Sequence, residues 1–186
     1  MRQAIDNAEA VLIKCGKELL STTDYRELTI QAIASASGMA TGTFYNYFES
    51  KDELIDRILS QEWDELLERV DAQIKPGCTH KFAGNYVYDL IDAYEKKYVW
   101  HISSLCCGNN KQSEKFRLSR EEKMRDLYKI LARKLKAEAD SGGLEFHLDY
   151  EKAATYYVQL CVCTARDASL CFDDLWEFLH FKDLKA

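Results

Sequence analysis

Apolar residues recur three or four positions apart along almost the whole chain. This spacing predicts α-helices rather than strands. We expect helices at residues 2–21, 29–36, 41–48, 51–74, 79–105, 114–141, 149–170 and 173–183. One proline and eight glycines leave the chain few helix breakers, since these two residue types interrupt helices most strongly. The pattern therefore predicts an all-α protein.

The segment 28–54 predicts two short helices around a tight turn, followed by the start of a third. Gly38 stands where the chain must reverse, and glycine adopts left-handed backbone angles without steric cost. The two helices can bury one face each against a shared core, through Ile30, Ile33, Ala34, Phe44 and Phe48. This arrangement is a helix-turn-helix, whose second helix is built to enter the DNA major groove.

The run 38–54 resembles the recognition helix and following helix start of the TetR family of transcriptional regulators. The matching elements are Gly38, Thr43-Phe44-Tyr45, Phe48, Ser50-Lys51 and Glu53-Leu54. The resemblance implies a three-helix DNA-binding domain at residues 1–50, with the helix-turn-helix at about 29–48. It also implies a helical domain at residues 51–186 that binds a small-molecule effector and forms a homodimer.

Eight residues are candidates for contact with double-stranded operator DNA: Thr29, Thr41, Gly42, Thr43, Tyr45, Asn46, Tyr47 and Lys51. Thr29 is placed to cap the second helix. Thr43 can meet a phosphate or a thymine methyl group, and Asn46 can pair with adenine. By resemblance, Tyr45 is similar to the family's phosphate-contacting tyrosine and Lys51 to the lysine that grips the DNA backbone.

The recognition helix departs from the family pattern, because Ala40-Thr41 stands where a Ser-Lys pair often opens it. The helix therefore carries no positive charge. Residues 1–60 hold six Lys/Arg and nine Asp/Glu, and the whole chain has a net charge of −6. We expect weak non-specific attraction to phosphates. An alternative is a helical dimeric ligand-binding or protein-interaction module that does not bind DNA.

Tyrosines recur along the helix at 79–105, where Tyr86, Leu90, Tyr94 and Tyr98 form a stripe. Such a stripe is common in an ordinary core. Because buried hydroxyls need partners, a ligand cavity is the second interpretation. Its predicted lining, suited to a flat or aromatic molecule, is Trp63, Tyr86, Tyr94, Tyr98 and Tyr157.

The last predicted helix is apolar on more than one face, so its own core and another surface must both cover it. The helix before it offers small side chains for close approach. We therefore expect a two-fold interface of two helices from each subunit. Its candidate residues are Tyr157, Cys161, Ala165, Trp176 and Leu179.

The remaining chemistry is sparse. No signal peptide or membrane span is evident, so we expect a cytoplasmic protein with no membrane partner. We then expect the seven cysteines to be reduced and mostly structural. A redox or metal sensor is a third hypothesis. Cys161 and Cys163 could not jointly bind a metal on a helix, because positions two apart point about 200° apart. No catalytic motif appears, and we expect no enzyme activity, cofactor or metal. Residues 111–136 contain ten Lys/Arg and four Asp/Glu. This basic stretch is either a solvated helix face or a surface that attracts an anionic effector or DNA.

The favoured hypothesis is a ligand-responsive DNA-binding transcriptional regulator, a repressor that a small molecule releases from its operator. The effector, the operator and the regulated genes do not follow from the sequence.

Overall fold

The computed structural model describes residues 2–75, 78–109, 111–141 and 148–179, with side chains from residue 8 onward. Over these ranges the chain is helical and forms no strand, which confirms the all-α prediction. The helices are α1 (Arg2–Leu20), α2 (Ile30–Ala36), α3 (Thr41–Phe44), α4 (Lys51–Gln73), α5 (His80–Cys106), α6 (Lys111–Asp140), α7 (Tyr150–Arg166) and α8 (Phe172–Leu179). None of these described helices is long and apolar enough for a bilayer span.

Two helices end four residues before the predicted position, and α6 begins three residues before it. The third helix was predicted to reach residue 48, but α3 ends at Phe44 and continues as a turn. The seventh was predicted to reach residue 170, but α7 ends at Arg166. There the Asp167 carboxylate accepts hydrogen bonds from the backbone and hydroxyl of Ser169, at 2.9 and 2.7 Å. Such local side-chain bonds compete with helix continuation. The predicted last turn, 180–183, lies outside the described residues.

The helices group into two compact units, which divide α4, α5 and α6 between them. The first unit comprises Met1–Glu62 and Tyr98–Glu121, so it extends beyond the predicted 1–50 domain. Its buried apolar side chains come from six helices and two connecting segments and include Leu12, Leu20, Leu28, Ile33, Phe44, Phe48, Leu54, Ile58, Ile102 and Phe116.

Helices α1 and α4 approach each other closely at Gly16. A Cβ atom there would lie 2.9 Å from Ile58 Cδ1 and 3.0 Å from Leu54 Cδ2. The absence of a side chain is therefore what lets the two helices meet at this point.

The second unit comprises Trp63–Lys97 and Glu122–Ala186. Its core is apolar and includes Leu66, Val70, Val87, Ile91, Leu127, Val158, Cys161 and Phe172. The Lys134 ammonium on α6 donates to the carbonyl oxygens of Asp71 and Ile74 at 2.8 and 2.7 Å, which closes the end of α4. On α5, the buried Glu95 carboxylate accepts from Arg166 Nε of α7 at 2.8 Å. Cations along α6 and α7 thus tie neighbouring helices together.

Candidate nucleic-acid interface

The turn between α2 and α3 is built around Gly38, the position predicted from the sequence. Gly38 has φ +66°, in the left-handed region. The Met39 amide donates to the Ala34 carbonyl at 2.9 Å, and the Gly38 amide donates to the Ser35 carbonyl at 3.1 Å. This pair of bonds is the Schellman motif, which ends a helix and reverses the chain. The helix-turn-helix therefore has the predicted geometry at its turn.

Each of the two helices begins as its first residues dictate. The Thr29 hydroxyl accepts from the Ala32 amide at 3.1 Å, so the predicted cap of α2 is present. Ala40 precedes α3 and supplies no side-chain cap. Without a cap and with Gly42 inside it, α3 is a weak helix, which accounts for its length of only four residues.

In the recognition segment, residues 41–48, the apolar side chains are buried and the polar ones are accessible to solvent. Phe44 and Phe48 are buried, with ring centroids 5.5 Å apart, and they anchor the segment to the core of the first unit. The candidate contact residues of this segment all keep solvent-accessible surface: Thr41, Gly42, Thr43, Tyr45, Asn46 and Tyr47. Tyr45 is 56% exposed, although its ring edge meets Phe44. The segment thus presents hydroxyl, phenol and amide groups on one accessible surface.

Lys51 has a structural role that the sequence did not reveal. Its ammonium donates to the carbonyl oxygens of Tyr25 and Leu28 at 2.6 and 2.9 Å, and it lies 4.2 Å from the centre of the Tyr25 ring. Burial lowers the pKa of Lys51, and the Asp52 carboxylate opposes that shift. Lys51 therefore fastens the segment before α2 to the start of α4, while its contact with a DNA phosphate stays a prediction.

We call the Lys51 ammonium and its Tyr25 and Leu28 carbonyl partners the clamp. The Tyr25 side chain adds a further bond to it. Its hydroxyl donates to Asp52 Oδ1 at 2.6 Å. Burial, followed by this bond and the charge of Asp52, raises the pKa of Tyr25 far above its usual value. The start of α4 is fixed further by Ser50, whose hydroxyl accepts from the Glu53 amide at 3.2 Å, as in a capping box. The Glu53 carboxylate reaches back to the Glu49 amide, at 2.7 Å, one residue earlier than expected.

The five predicted effector-binding residues are not brought into one cluster. Trp63 and Tyr94 meet edge to face with centroids 4.9 Å apart, and the Trp63 indole donates to the Lys123 carbonyl at 3.0 Å. Tyr86 stacks instead on Phe82, with centroids 6.2 Å apart. Tyr98 belongs to the first unit, where its hydroxyl donates to Glu62 Oε2 at 2.7 Å. Tyr98 therefore serves the core of that unit.

Tyr157 connects α7 to α5. Its hydroxyl donates to the Gly84 carbonyl at 2.6 Å, and burial strongly raises its pKa. A Cβ atom on Gly84 would lie 3.0 Å from that hydroxyl oxygen, so glycine is what allows the contact. Burial also raises the pKa of the neighbouring Cys161 thiol to about 12, which keeps it protonated and unreactive.

The predicted dimer residues differ in accessibility. Cys161 has no exposed surface in the subunit and belongs to its core, which corrects its assignment to an interface. Trp176 is half-buried against Phe172, with centroids 5.8 Å apart. Tyr157 and Ala165 are also half-buried, and Leu179 is exposed. Tyr156 on α7 and Phe178 on α8 are exposed as well, at 63% and 69%, although neither is among the predicted dimer residues.

Free thiols and a surface cleft are further features that could carry chemistry. All seven cysteines are free thiols. Among the described residues, no group of three or more His, Cys, Asp or Glu side chains gathers in a way that could hold a metal ion. An open cleft of about 540 Å³ lies in the first unit between α1 and α4, lined by Glu9, Ala10, Ile13, Lys14, Lys17 and Gln61. It contains none of the predicted effector residues.

A left-handed glycine turn, a short second helix and accessible hydroxyl and amide groups define a helix-turn-helix protein of the kind that docks in the DNA major groove. Residues 12–58 match the family described as bacterial regulatory proteins, tetR family. This part of the chain is therefore similar to the DNA-binding region of TetR-family transcriptional regulators.

Two curated relatives carry the same likeness. The chain is 27% identical over 70 residues to the fatty acid metabolism regulator protein of Bacillus subtilis (strain 168), covering 38% of this chain and 36% of the relative. It is 30% identical over 71 residues to the HTH-type transcriptional regulator EthR of Mycolicibacterium smegmatis, covering 38% of this chain and 31% of the relative. The aligned part thus spans about a third of the length of these relatives, both of which are named as regulators.

Solved structures resemble the chain over most of its length. FadR from Bacillus subtilis in complex with stearoyl-CoA aligns with a TM-score of 0.64 at 21% identity, covering 84% of both chains. Salmonella enterica GusR aligns with a TM-score of 0.68 at 17% identity, covering 90% of this chain and 86% of GusR. At these identities the likeness shows the fold.

Proposed function

We propose that this protein is a dimeric transcriptional regulator that binds operator DNA and is released from it by a small molecule. The observation that carries the proposal is the accessible face of residues 41–47, mounted on two buried phenylalanines behind the Gly38 turn. Hydroxyl, phenol and amide groups are suited to phosphates and base edges. The printed names of the relatives include an activator, DhaS of Lactococcus lactis, so our choice of repression is itself a proposal.

Within the interface we assign separate roles to individual residues. Thr41, Thr43 and Tyr45 contact phosphates, and Gly42 allows the backbone to approach the duplex. Asn46 and Tyr47 face base edges. Asn46 is the residue most able to read sequence, because its amide can form a bidentate pair with adenine. Since the segment carries no cation, we expect a shallow dependence of affinity on salt.

The test is binding of the purified full chain to the DNA upstream of its own gene. We expect protection of an inverted repeat. Asn46→Ala should change the preferred base at one position of each half-site, by about 1–3 kcal/mol of discrimination. The control is Asn109→Ala, an exposed asparagine outside the helix-turn-helix. An unaltered base preference in Asn46→Ala would mean that Asn46 does not read a base. Failure of the wild type to bind any upstream duplex would favour the alternative, a module that does not bind DNA.

We propose that the effector site lies in the second unit. Half-buried Tyr86 and Tyr157 retain accessible surface there, and the Trp63–Tyr94 pair supplies an aromatic wall. Such surroundings suit a flat or aromatic molecule. A structural neighbour holds stearoyl-CoA, so thermal-shift screening should include a long-chain acyl-CoA beside aromatic compounds. A compound that raises the unfolding temperature and also releases the upstream DNA would support the assignment.

The dimer is proposed to form through α7 and α8. Tyr156, Phe178 and Leu179 are exposed apolar side chains on these two helices, and large exposed apolar groups indicate an interaction surface. Two-fold symmetry would place two recognition segments about 34–36 Å apart, as successive major grooves require. Effector binding then releases DNA by changing that separation, because a misplaced half-site contributes no binding energy.

A further inference from the structure

His101 is a buried histidine that connects two helices of the first unit. It lies on α5 and is 4% exposed. Its Nε2 atom is 3.1 Å from the carbonyl oxygen of Leu20, the last residue of α1. A carbonyl oxygen can only accept, so Nε2 carries the proton and Nδ1 is the bare nitrogen of the neutral ring. His101 is therefore placed as a hydrogen-bond donor to the end of α1.

The other side of the ring decides what protonation would do. Nδ1 is buried and has no hydrogen-bond partner among the described residues. The charged form of histidine has a donor on both nitrogens. Protonation would therefore bury a positive charge together with a donor that lacks an acceptor, which is costly.

The charged groups around His101 do not offset that cost. Asp24, in the segment after α1, acts on the ring through its charge and favours protonation. One turn earlier on α5, Tyr98 donates to Glu62 of α4, and Glu62 is paired with Lys17 of α1. Burial is the larger effect, and the pKa of His101 lies below its ordinary value of 6.5.

We propose that neutral His101 is a positioning residue that fastens α5 to the end of α1, and that protonation of its ring releases this contact. Leu20 leads into the segment 21–28, whose Tyr25 and Leu28 carbonyls hold Lys51. Release at Leu20 would therefore loosen the connection that carries the helix-turn-helix. Combined with the proposed function, and resting on it, this means that operator affinity falls on acidification.

The direction of the pH effect follows because the buried ring is neutral, while the ring released from its site can take up a proton. The contact contributes fully above the ordinary histidine pKa of 6.5 and is lost as the pH falls through the lower value of the folded protein. One linked proton gives at most about a tenfold change in the opening equilibrium per pH unit.

The direct test follows the ring in the full-length protein. Long-range proton–nitrogen spectra of ¹⁵N-histidine-labelled protein should show His101 protonated at Nε2 and titrating below 6.5. Hydrogen exchange in the last turn of α1, corrected for intrinsic rates, should show protection that falls by up to about tenfold per pH unit between pH 6.5 and that lower midpoint. An Nδ1-protonated ring, or a midpoint at or above 6.5, would overturn the proposal.

Two variants separate His101 from other acid effects. In His101→Gln the side-chain amide can donate to Leu20 without titrating, so protection at neutral pH should be kept and its pH dependence lost. His80→Gln removes an exposed histidine that lies 3.8 Å from Glu138, and it should behave like the wild type. Equal pH dependence in both variants would overturn the proposal.

A separate arm measures affinity for the upstream duplex at two pH values. We expect the wild type, but not His101→Gln, to lose affinity at the lower pH. Absence of binding at every pH would contradict the proposed function, whereas the spectra and the exchange rates judge the role of His101 independently.

Discussion

Replacement of Lys51 by methionine distinguishes a structural clamp from a DNA contact. Methionine keeps a long apolar stem over Tyr25 but removes the ammonium that donates to the Tyr25 and Leu28 carbonyls. Net contributions of bonds to charged groups are about 1.5–3 kcal/mol when buried. Because Lys51 is only half-buried, we expect the two bonds together to contribute about 2 kcal/mol.

Stability and salt dependence measured on the same variant give opposite results for the two roles. A loss of about 2 kcal/mol lowers the unfolding temperature by roughly 4–8 °C in a chain of this size. If Lys51 is a clamp, operator affinity falls through loss of order while the slope of log affinity against log salt is unchanged. If Lys51 grips a phosphate, that slope becomes shallower by about 0.9.

The matched control is Arg57→Met, an exposed cation on the same helix. It should change stability by less than about 0.5 kcal/mol. A Lys51→Met protein with wild-type stability and a reduced salt slope would refute the clamp. That result would mean that the ammonium leaves its two carbonyl partners for the duplex.

Two further predictions concern the second unit. Tyr157→Phe removes the hydrogen bond to Gly84 and should lower the free energy of unfolding by about 1 kcal/mol in a denaturant titration. It should leave operator binding intact but shift the effector concentration that releases half of the DNA. The control is Tyr156→Phe at the exposed neighbouring position, and equal responses of the two variants would exclude Tyr157 from the effector site. Phe178→Glu should give monomers in sedimentation velocity and abolish tight operator binding. The control is Leu118→Glu, at an exposed apolar site on α6, and this variant should stay dimeric. A dimeric Phe178→Glu protein would mean that the interface lies elsewhere.

Local signals in the sequence predicted the local structure well. The predicted hydroxyl cap at Thr29 and the predicted left-handed turn at Gly38 depend on residues at most five positions away, and so does the cap that Ser50 supplies to α4. Their geometry is therefore contained in short stretches of sequence. The buried pair Phe44 and Phe48 followed from helical spacing in the same way.

Contacts between distant residues could not be predicted in this way. Lys51 finds its carbonyl partners 23 and 26 residues away, and His101 finds its partner 81 residues away. The regular tyrosine stripe was misleading for a related reason. Helix α5 passes from one unit to the other between residues 97 and 98, so Tyr94 and Tyr98 serve different cores although they share a face of one helix.

The recognition segment without a cation has a consequence for how such a regulator would find its site in a genome. Attraction to phosphates supplies nearly all non-specific binding, and a chromosome offers about 10⁶–10⁹ competing positions. A protein of net charge −6 whose residues 41–48 carry no Lys or Arg leaves few of its copies on unrelated DNA. A small number of molecules per cell would then suffice to fill the operator, and changes in ion concentration would alter its occupancy little.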